Sequence, residues 1–201
     1  MQKPAPTEFP VHDLIRDRWS PRAFADKTVP PEVLRSLFEA ARWAPSSSNE
    51  QPWSYIVATR EDKENFEKML SVLVEFNANW AKNAPVLALA IAELVFEKNN
   101  APNRNAQYDT GAATALLAVE ATSRGLAVHQ MAGFDPDKAR KVFEIPAGWD
   151  AIAAIAFGYP GDLESLPQPL RDRELAPRVR KPLSKFVMTG RWGHTSPFVS
   201  K

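Results

Sequence analysis

The sequence predicts one domain in which helices cover a β-sheet, α/β or α+β in class, on three observations. Apolar residues at Val33, Leu34, Leu37, Phe38 and Ala41 follow one face of a helix. The run Val86 to Ala92 is apolar without interruption, which marks a strand buried on both faces. Helical and strand-like stretches alternate irregularly, with four strong strands, so periodicity alone neither orders the strands nor separates the two classes.

Taken along the chain, Val11 to Arg18 reads as a short helix with Leu14 and Ile15 inward. Pro30-Pro31 opens a second helix, because a first-turn N–H has no intrahelical partner for proline to remove, and Pro45 ends it. Trp53 to Thr59 is a strand, with Trp53 a core residue. Glu61 to Val74 is helical, with Phe66, Met69, Leu70 and Leu73 on one side. After the buried strand, Phe96 to Tyr108 is polar and aperiodic, a loop and a candidate pocket cover. Thr110 to Ser123 is an Ala-rich helix with Leu116, Leu117 and Val119 inward, stopped by Gly125 in the left-handed conformation. Leu126 to Met131 is a strand. Asp135 caps a helix that runs to Phe143 with Pro136 at its first position, and Ala151 to Phe157 is the last strand. Beyond it, Pro160, Pro167, Pro169, Pro177, Pro182 and Pro197 leave little room for helix. A tail of ~40 residues so poor in core elements rarely packs only on itself. Residues 160–201 therefore read as an arm across a partner subunit, within a single domain spanning 1–201.

At 201 residues, 44% of them hydrophobic, the chain is long enough for a real core. Lys and Arg number 25 against 24 Asp and Glu, so no global charge favours nucleic acid, and any basic role is local. Cysteine is absent, which excludes disulfides, thiol catalysis and Cys-ligated metals and fits a cytoplasmic setting. His12, His129 and His194 show no metal-ligand spacing, and neither a Gly-x-Ser-x-Gly elbow nor a Gly-x-Gly-x-x-Gly turn occurs. Met1 to Pro10 has no apolar signal-peptide core, and the most apolar run is far too short for a bilayer. With no evident general base, chemistry carried by a cofactor is the natural reading.

Three stretches carry a resemblance that implies a cofactor. Ala44-Pro45-Ser46-Ser47-Ser48-Asn49-Glu50-Gln51-Pro52-Trp53 is a rigid loop of donors and acceptors, suited to the edge of a polar planar ligand. Arg18-Trp19-Ser20-Pro21-Arg22-Ala23-Phe24 sets two guanidiniums around a hydroxyl, and Arg178-Val179-Arg180-Lys181-Pro182 repeats the cationic theme. Arginine forks match phosphate oxygens bidentately. With the Gly-Leu…Gly-Phe pattern of Gly125 to Phe134, the order and spacing of these motifs over residues 16 to 182 resemble the nitroreductase family of FMN-dependent oxidoreductases.

That resemblance implies an α+β fold with a mainly antiparallel sheet flanked by helices. It also implies an intertwined homodimer with C-terminal arm exchange and one FMN at each end of the interface. NAD(P)H would be the transient reductant, and a nitroaromatic, quinone or similar small molecule the acceptor, in a ping-pong cycle without nucleic acid or membrane. Arg18, Ser20 and one or both of Arg178 and Arg180 would hold the phosphate end, and Trp19 would also be among the cofactor-binding residues. Arg22 would lie near the flavin N1/C2=O edge, where a cation favours the reduced ring, or serve as a further phosphate contact. Pro45, Ser46, Ser47, Asn49 and Gln51 would reach the same flavin from the other subunit, with Ser48, Phe96 and Tyr108 in the substrate pocket. Ala132 and Gly133 would bring main chain close to flavin N5, with Gln130 and Met131 also cofactor-binding, and Asn77 and Asn79 would lie against the pyrimidine. No catalytic side chain is assigned, because flavin N5 is the reactive centre. His129 departs from the Pro or Trp common there and reads either as a core histidine or as a proton donor. Two other readings stay open: a non-catalytic module that stores or senses FMN, and a specialised relative such as a reductive dehalogenase.

Overall fold

A computed structural model describes residues 2–199, in which seven α-helices surround one four-stranded sheet. The strands are β1 (Trp53–Thr59), β2 (Val86–Glu93), β3 (Ala127–Met131) and β4 (Trp149–Gly158), in the order β1-β2-β4-β3. Every pairing is antiparallel, which makes the class α+β. The central β2 is buried on both faces, as its unbroken apolar run predicts. Leu87, Leu89 and Ile91 enter one core layer, and Val86, Ala88 and Ala90 enter the other. The first layer is covered by α3 (Lys63–Ser71), α4 (Glu75–Ala81) and α6 (Pro136–Val142), through Phe66, Met69, Trp80 and Ala139. The second is covered by α2 (Pro31–Arg42) and α5 (Ala106–Ser123), where alanines on both β2 and α5 let the helix lie close to the sheet.

The predicted helix ends hold. Pro31 starts α2, and the Asp135 Oδ1 accepts from the Lys138 N–H at 2.9 Å to cap α6. At the end of α5 the Leu126 N–H bonds the Ala121 carbonyl at 2.8 Å and the Gly125 N–H bonds Thr122 at 3.1 Å, with Gly125 at φ +73°. This paired closure needs a left-handed residue after the last turn.

Other elements differ from the sequence reading, each for a tertiary reason. The first helix, α1, is only Asp13–Asp17, and Ile15 is 53% exposed. The helix expected over Glu61 to Val74 stops at Ser71. There the Val74 N–H bonds the Gly133 carbonyl at 3.1 Å and the Val72 carbonyl accepts from Asp135 at 2.8 Å. Those long-range bonds pull the backbone out of the helix, and α4 begins afresh beyond them. The α5 helix begins four residues before Thr110, so Tyr108 stands in its first turn and not in a loop. Leu116, read as inward, is 38% exposed, and Tyr108 is 80% exposed. With Ala112, Ala115 and Val119 they form an apolar stripe on the outer side of α5.

The tail contains a helix after all. α7 spans Gln168–Leu175, because Pro167 is its cap residue and Pro169 its second position, where an N–H has no helical partner anyway. The tail up to Pro182 docks on its own chain. The Gly161 N–H bonds the Ala23 carbonyl at 2.9 Å, and a Cβ on Gly161 would lie 2.4 Å from the Phe24 carbonyl carbon, so only glycine fits. Beyond Pro182, Phe186, Trp192 and Phe198 are exposed.

Candidate functional site

The segment Arg18 to Ala25 runs beside the β3 edge of the sheet. His129 on β3 donates from Nδ1 to the Pro21 carbonyl at 2.9 Å, and the Ala25 N–H bonds the Tyr159 carbonyl at 2.9 Å. This placement turns Arg18, Ser20 and Arg22 into a cleft of about 200 Å³ that Lys3, Arg178 and Arg180 also line. Within it the Arg18 Nη1 donates to the Ser20 hydroxyl at 3.2 Å, and the Lys3 ammonium stands 5.6 Å from the Trp19 ring centre. Arg178 is spent on the main chain. Its guanidinium donates to the carbonyls of Lys3 at 2.6 Å, Arg16 at 3.1 Å and Arg18 at 2.8 Å, so it builds the wall of the cleft. Arg180 is exposed and donates to its own neighbour, the Val179 carbonyl, at 2.8 Å.

The electrostatics point to an anion. Burial, then the positive charges of Arg178 and Arg180, push Arg18 below the usual guanidinium range. Burial and then Arg180 do the same to Arg178, against the pull of Asp17. Guanidiniums held in this unfavourable crowd gain when a phosphate enters.

Arg22 differs from the other cations. Its Nη1 donates to the Glu174 Oε1 at 2.8 Å, and Glu174, on α7, is only 2% exposed. The sequence reading named no carboxylate partner for Arg22.

His129 is mostly enclosed, with its ring centre 4.6 Å from that of Trp80. A carbonyl only accepts, so the Nδ1 of His129 carries a proton toward Pro21. Burial first, then the charges of Arg22 and Arg18, lower its pKa to about 4, against the opposing hydrogen bond to Pro21. This is the core histidine of the two readings. Because the folded pKa lies below the unfolded one of ~6.5, protonation favours the unfolded chain. His129 therefore withdraws stability, on the order of 3 kcal/mol in full, as pH falls from ~6.5 through 4. Urea titrations of wild type and His129→Gln over that interval are expected to show a shallower acid slope in the variant; parallel slopes would rule this out.

Past His129 the strand leads to Gln130, Met131, Ala132 and Gly133. Gln130 and Ala132 are exposed, whereas Met131 is 5% exposed and in the core. The Asn77 Nδ2 donates to the Gly133 carbonyl at 3.0 Å, and a Cβ on Gly133 would lie 2.4 Å from that nitrogen. Asn77 thus holds this turn, while Asn79 lies exposed on the same helix. His129, which faces the segment that carries the cleft, and Gly133 stand four residues apart along the chain.

The Pro45 to Gln51 loop is a separate construction. Ser48, Asn49 and Gln51 have φ of 54°, 57° and 53°, left-handed conformations that L-residues other than Asn and Asp rarely adopt. The Gln51 N–H bonds the Ser46 Oγ at 3.0 Å, the Gln51 Nε2 donates to the Asn49 carbonyl at 3.0 Å, and the Ser47 N–H bonds the Asp109 Oδ2 at 3.0 Å. These bonds leave Pro45, Ser48, Asn49 and Gln51 exposed, with Ser46 and Ser47 half-buried. The Glu50 carboxylate accepts from the Glu97 N–H, which ties the loop to the half-buried Phe96. Asn103 is 3% exposed and belongs to the body of the protein. Asp109 and Glu50, the anchors of the loop, were not singled out from sequence; an acid inside an Ala-rich helix is the signal for Asp109.

Within one chain the two constructions do not meet. The loop leads into β1 at one sheet edge, and the cleft flanks β3 at the other, three strand spacings or about 14 Å away. The loop binds Asp109 at the start of α5, whereas Trp19 shares a cavity with Thr122 near its end. Those two positions are about 20 Å apart along the helix.

The Nitroreductase family model matches residues 15–159, most of the chain up to the tail. A solved oxidoreductase containing FMN is 36% identical, with a TM-score of 0.89 over 95% of this chain and 97% of that one. A "Putative NADH dehydrogenase/NAD(P)H nitroreductase" of Streptomyces coelicolor is 31% identical over 169 residues, 73% of this chain and 81% of that protein. An uncharacterized 15.4 kDa protein of Mycolicibacterium smegmatis is 37% identical over 131 residues, 65% of this chain and 86% of that one.

Proposed function

The chain belongs to the nitroreductase family of FMN-dependent oxidoreductases, and we propose from that premise that it works as a homodimer, passing electrons from NAD(P)H to nitroaromatic, quinone or similar acceptors by a ping-pong cycle. The observation that carries the reading is the cationic cleft, whose crowded guanidiniums and Ser20 hydroxyl suit a phosphate, beside the strand β3 that leads to the turn at Gly133. FMN, when bound, supplies the hydride chemistry at its ring. The chain's own residues bind and orient it. Arg18 and Ser20 hold the phosphate inside a wall built by Arg178, with Arg180 at the rim. Gln130, Ala132 and Gly133 offer backbone to the ring, and Asn77 fixes their turn.

The homodimer is supported by the apolar outer stripe of α5, from Tyr108 to Val119, and by the separation of cleft and loop in one chain. A second copy brings the Pro45 to Gln51 loop, with Ser46, Ser47 and Asn49, to the ring end of the first copy's cleft. The exposed Phe186, Trp192 and Phe198 suit an arm on the partner, and this narrows the proposed exchange to residues beyond Pro182. Among the described residues no helix is long and apolar enough to cross a membrane. The proposed place of action is the cytoplasm, a setting that the cysteine-free sequence fits.

Anaerobic mixing with NADPH or NADH tests the function. Rapid bleaching of the flavin band near ~450 nm is expected, and the faster nicotinamide is the physiological one. A protein that binds FMN yet never bleaches is a storage or sensing module. The pocket cover gives a finer test, because Phe96 is tied to the loop through Glu97 and Glu50. Phe96→Ala is expected to change KM several-fold and unequally across acceptors while FMN content stays at the wild-type level. Loss of FMN would make this segment structural.

A further inference from the structure

Glu174 is the one acid among the residues that line the cationic cleft, and it is almost sealed from water at 2% exposure. A phosphate site gains nothing from a carboxylate, so its presence needs a reason. Both of its oxygens are used by a single residue: Oε1 accepts from the Arg22 Nη1 at 2.8 Å, and Oε2 from the Arg22 backbone N–H at 3.3 Å. The Lys3 ammonium donates to the Glu174 main-chain carbonyl and fastens α7 from the other side. The Arg22 guanidinium stands 6.0 Å from the Trp80 ring centre, and Trp80 in turn packs on His129. Arg22 is thus fixed by a carboxylate and an aromatic face, although it lies two residues from Ser20 in the same cleft. A free arginine there would swing to the anion that Arg18 and Ser20 bind.

We propose that Glu174 is a positioning residue that withholds Arg22 from the phosphate and fixes its guanidinium beside β3 for the ring side of the flavin. This rests on reading the cleft as the phosphate end of the FMN site. Apoprotein titrated calorimetrically with inorganic phosphate and, separately, with riboflavin, which has the ring and no phosphate, tests it without turnover. In Glu174→Gln the released arginine is expected to tighten phosphate about tenfold and weaken riboflavin about tenfold. Loss of both together, or riboflavin unchanged, would overturn the proposal. The double variant Arg22→Met/Glu174→Met keeps the net charge and replaces a buried pair by apolar side chains, a change proteins often tolerate. It is expected to bind phosphate within twofold of wild type, and a tenfold loss would show that Arg22 is a phosphate ligand after all. Wild-type apoprotein that binds neither FMN nor riboflavin would instead undo the reading of the cleft itself.

Discussion

Arg22→Met is expected to destabilise the protein by roughly 3–5 kcal/mol, the cost of leaving one member of a buried ion pair alone. The asymmetry of the pair sets the size of the effect. The Arg22 side chain keeps 21% of its exposure, whereas that of Glu174 keeps 1%. Removing the arginine therefore strands the deeper charge, and among the described residues no other cation donates to that carboxylate. Against a total stability of about 5–15 kcal/mol, such a loss lowers the melting temperature by roughly 6–20 °C. Urea unfolding of the apoprotein measures it directly. A change under about 1 kcal/mol would mean that the pair behaves like a solvent-exposed one. The double replacement by methionine is expected to recover most of the loss, since two apolar side chains leave nothing unpaired.

The second large effect concerns how the site is shared. Arg18→Ala/Arg180→Ala removes cations from the cleft, and a Ser46/Ser47/Asn49 triple alanine strips the loop; each homodimer is expected to bind FMN poorly. Unfolded, mixed and refolded together, random association makes about half of the dimers mixed, and each mixed dimer pairs one doubly damaged site with one intact site. About a quarter of all sites should then regain FMN, read from bound flavin after gel filtration. If cleft and loop served one flavin within a chain, mixing would restore nothing. The separation of about 20 Å along α5 is what makes the shared arrangement the expected one.

Much of this was legible in the sequence. The doubly buried β2, the Asp135 and Gly125 helix ends and Pro31 at the start of α2 are local signals, and local signals survive folding. The cationic and polar motifs drew attention to the cleft and to the loop that are proposed to share the flavin. The break between α3 and α4 was not legible, because it is made by bonds from Val72 and Val74 to residues some sixty positions away in the chain. Nor was α7: its two prolines look like helix breakers until one sees that both stand at its start. Glu174 could not be matched to Arg22 from sequence, since the two stand 152 positions apart and nothing in the chain between them carries a trace of the pairing. Ile15 and Leu116 read as core because they are apolar, yet both face outward in a single chain.

The left-handed residues of the Pro45 to Gln51 loop bear on how this protein can change. Ser48 and Gln51 sit at φ 54° and 53°, where an L-residue forgoes on the order of 1–2 kcal/mol that glycine would not. Glycine gives back part of that through the freedom of the unfolded chain, about 0.5–1 kcal/mol. A library selected for heat resistance alone is therefore expected to gather glycine at positions 48 and 51. One selected for turnover should keep the serine and the glutamine, if their side chains rather than their backbone are what the loop exists to present. The two harvests, sequenced side by side, would separate what the fold tolerates at those positions from what the reaction demands.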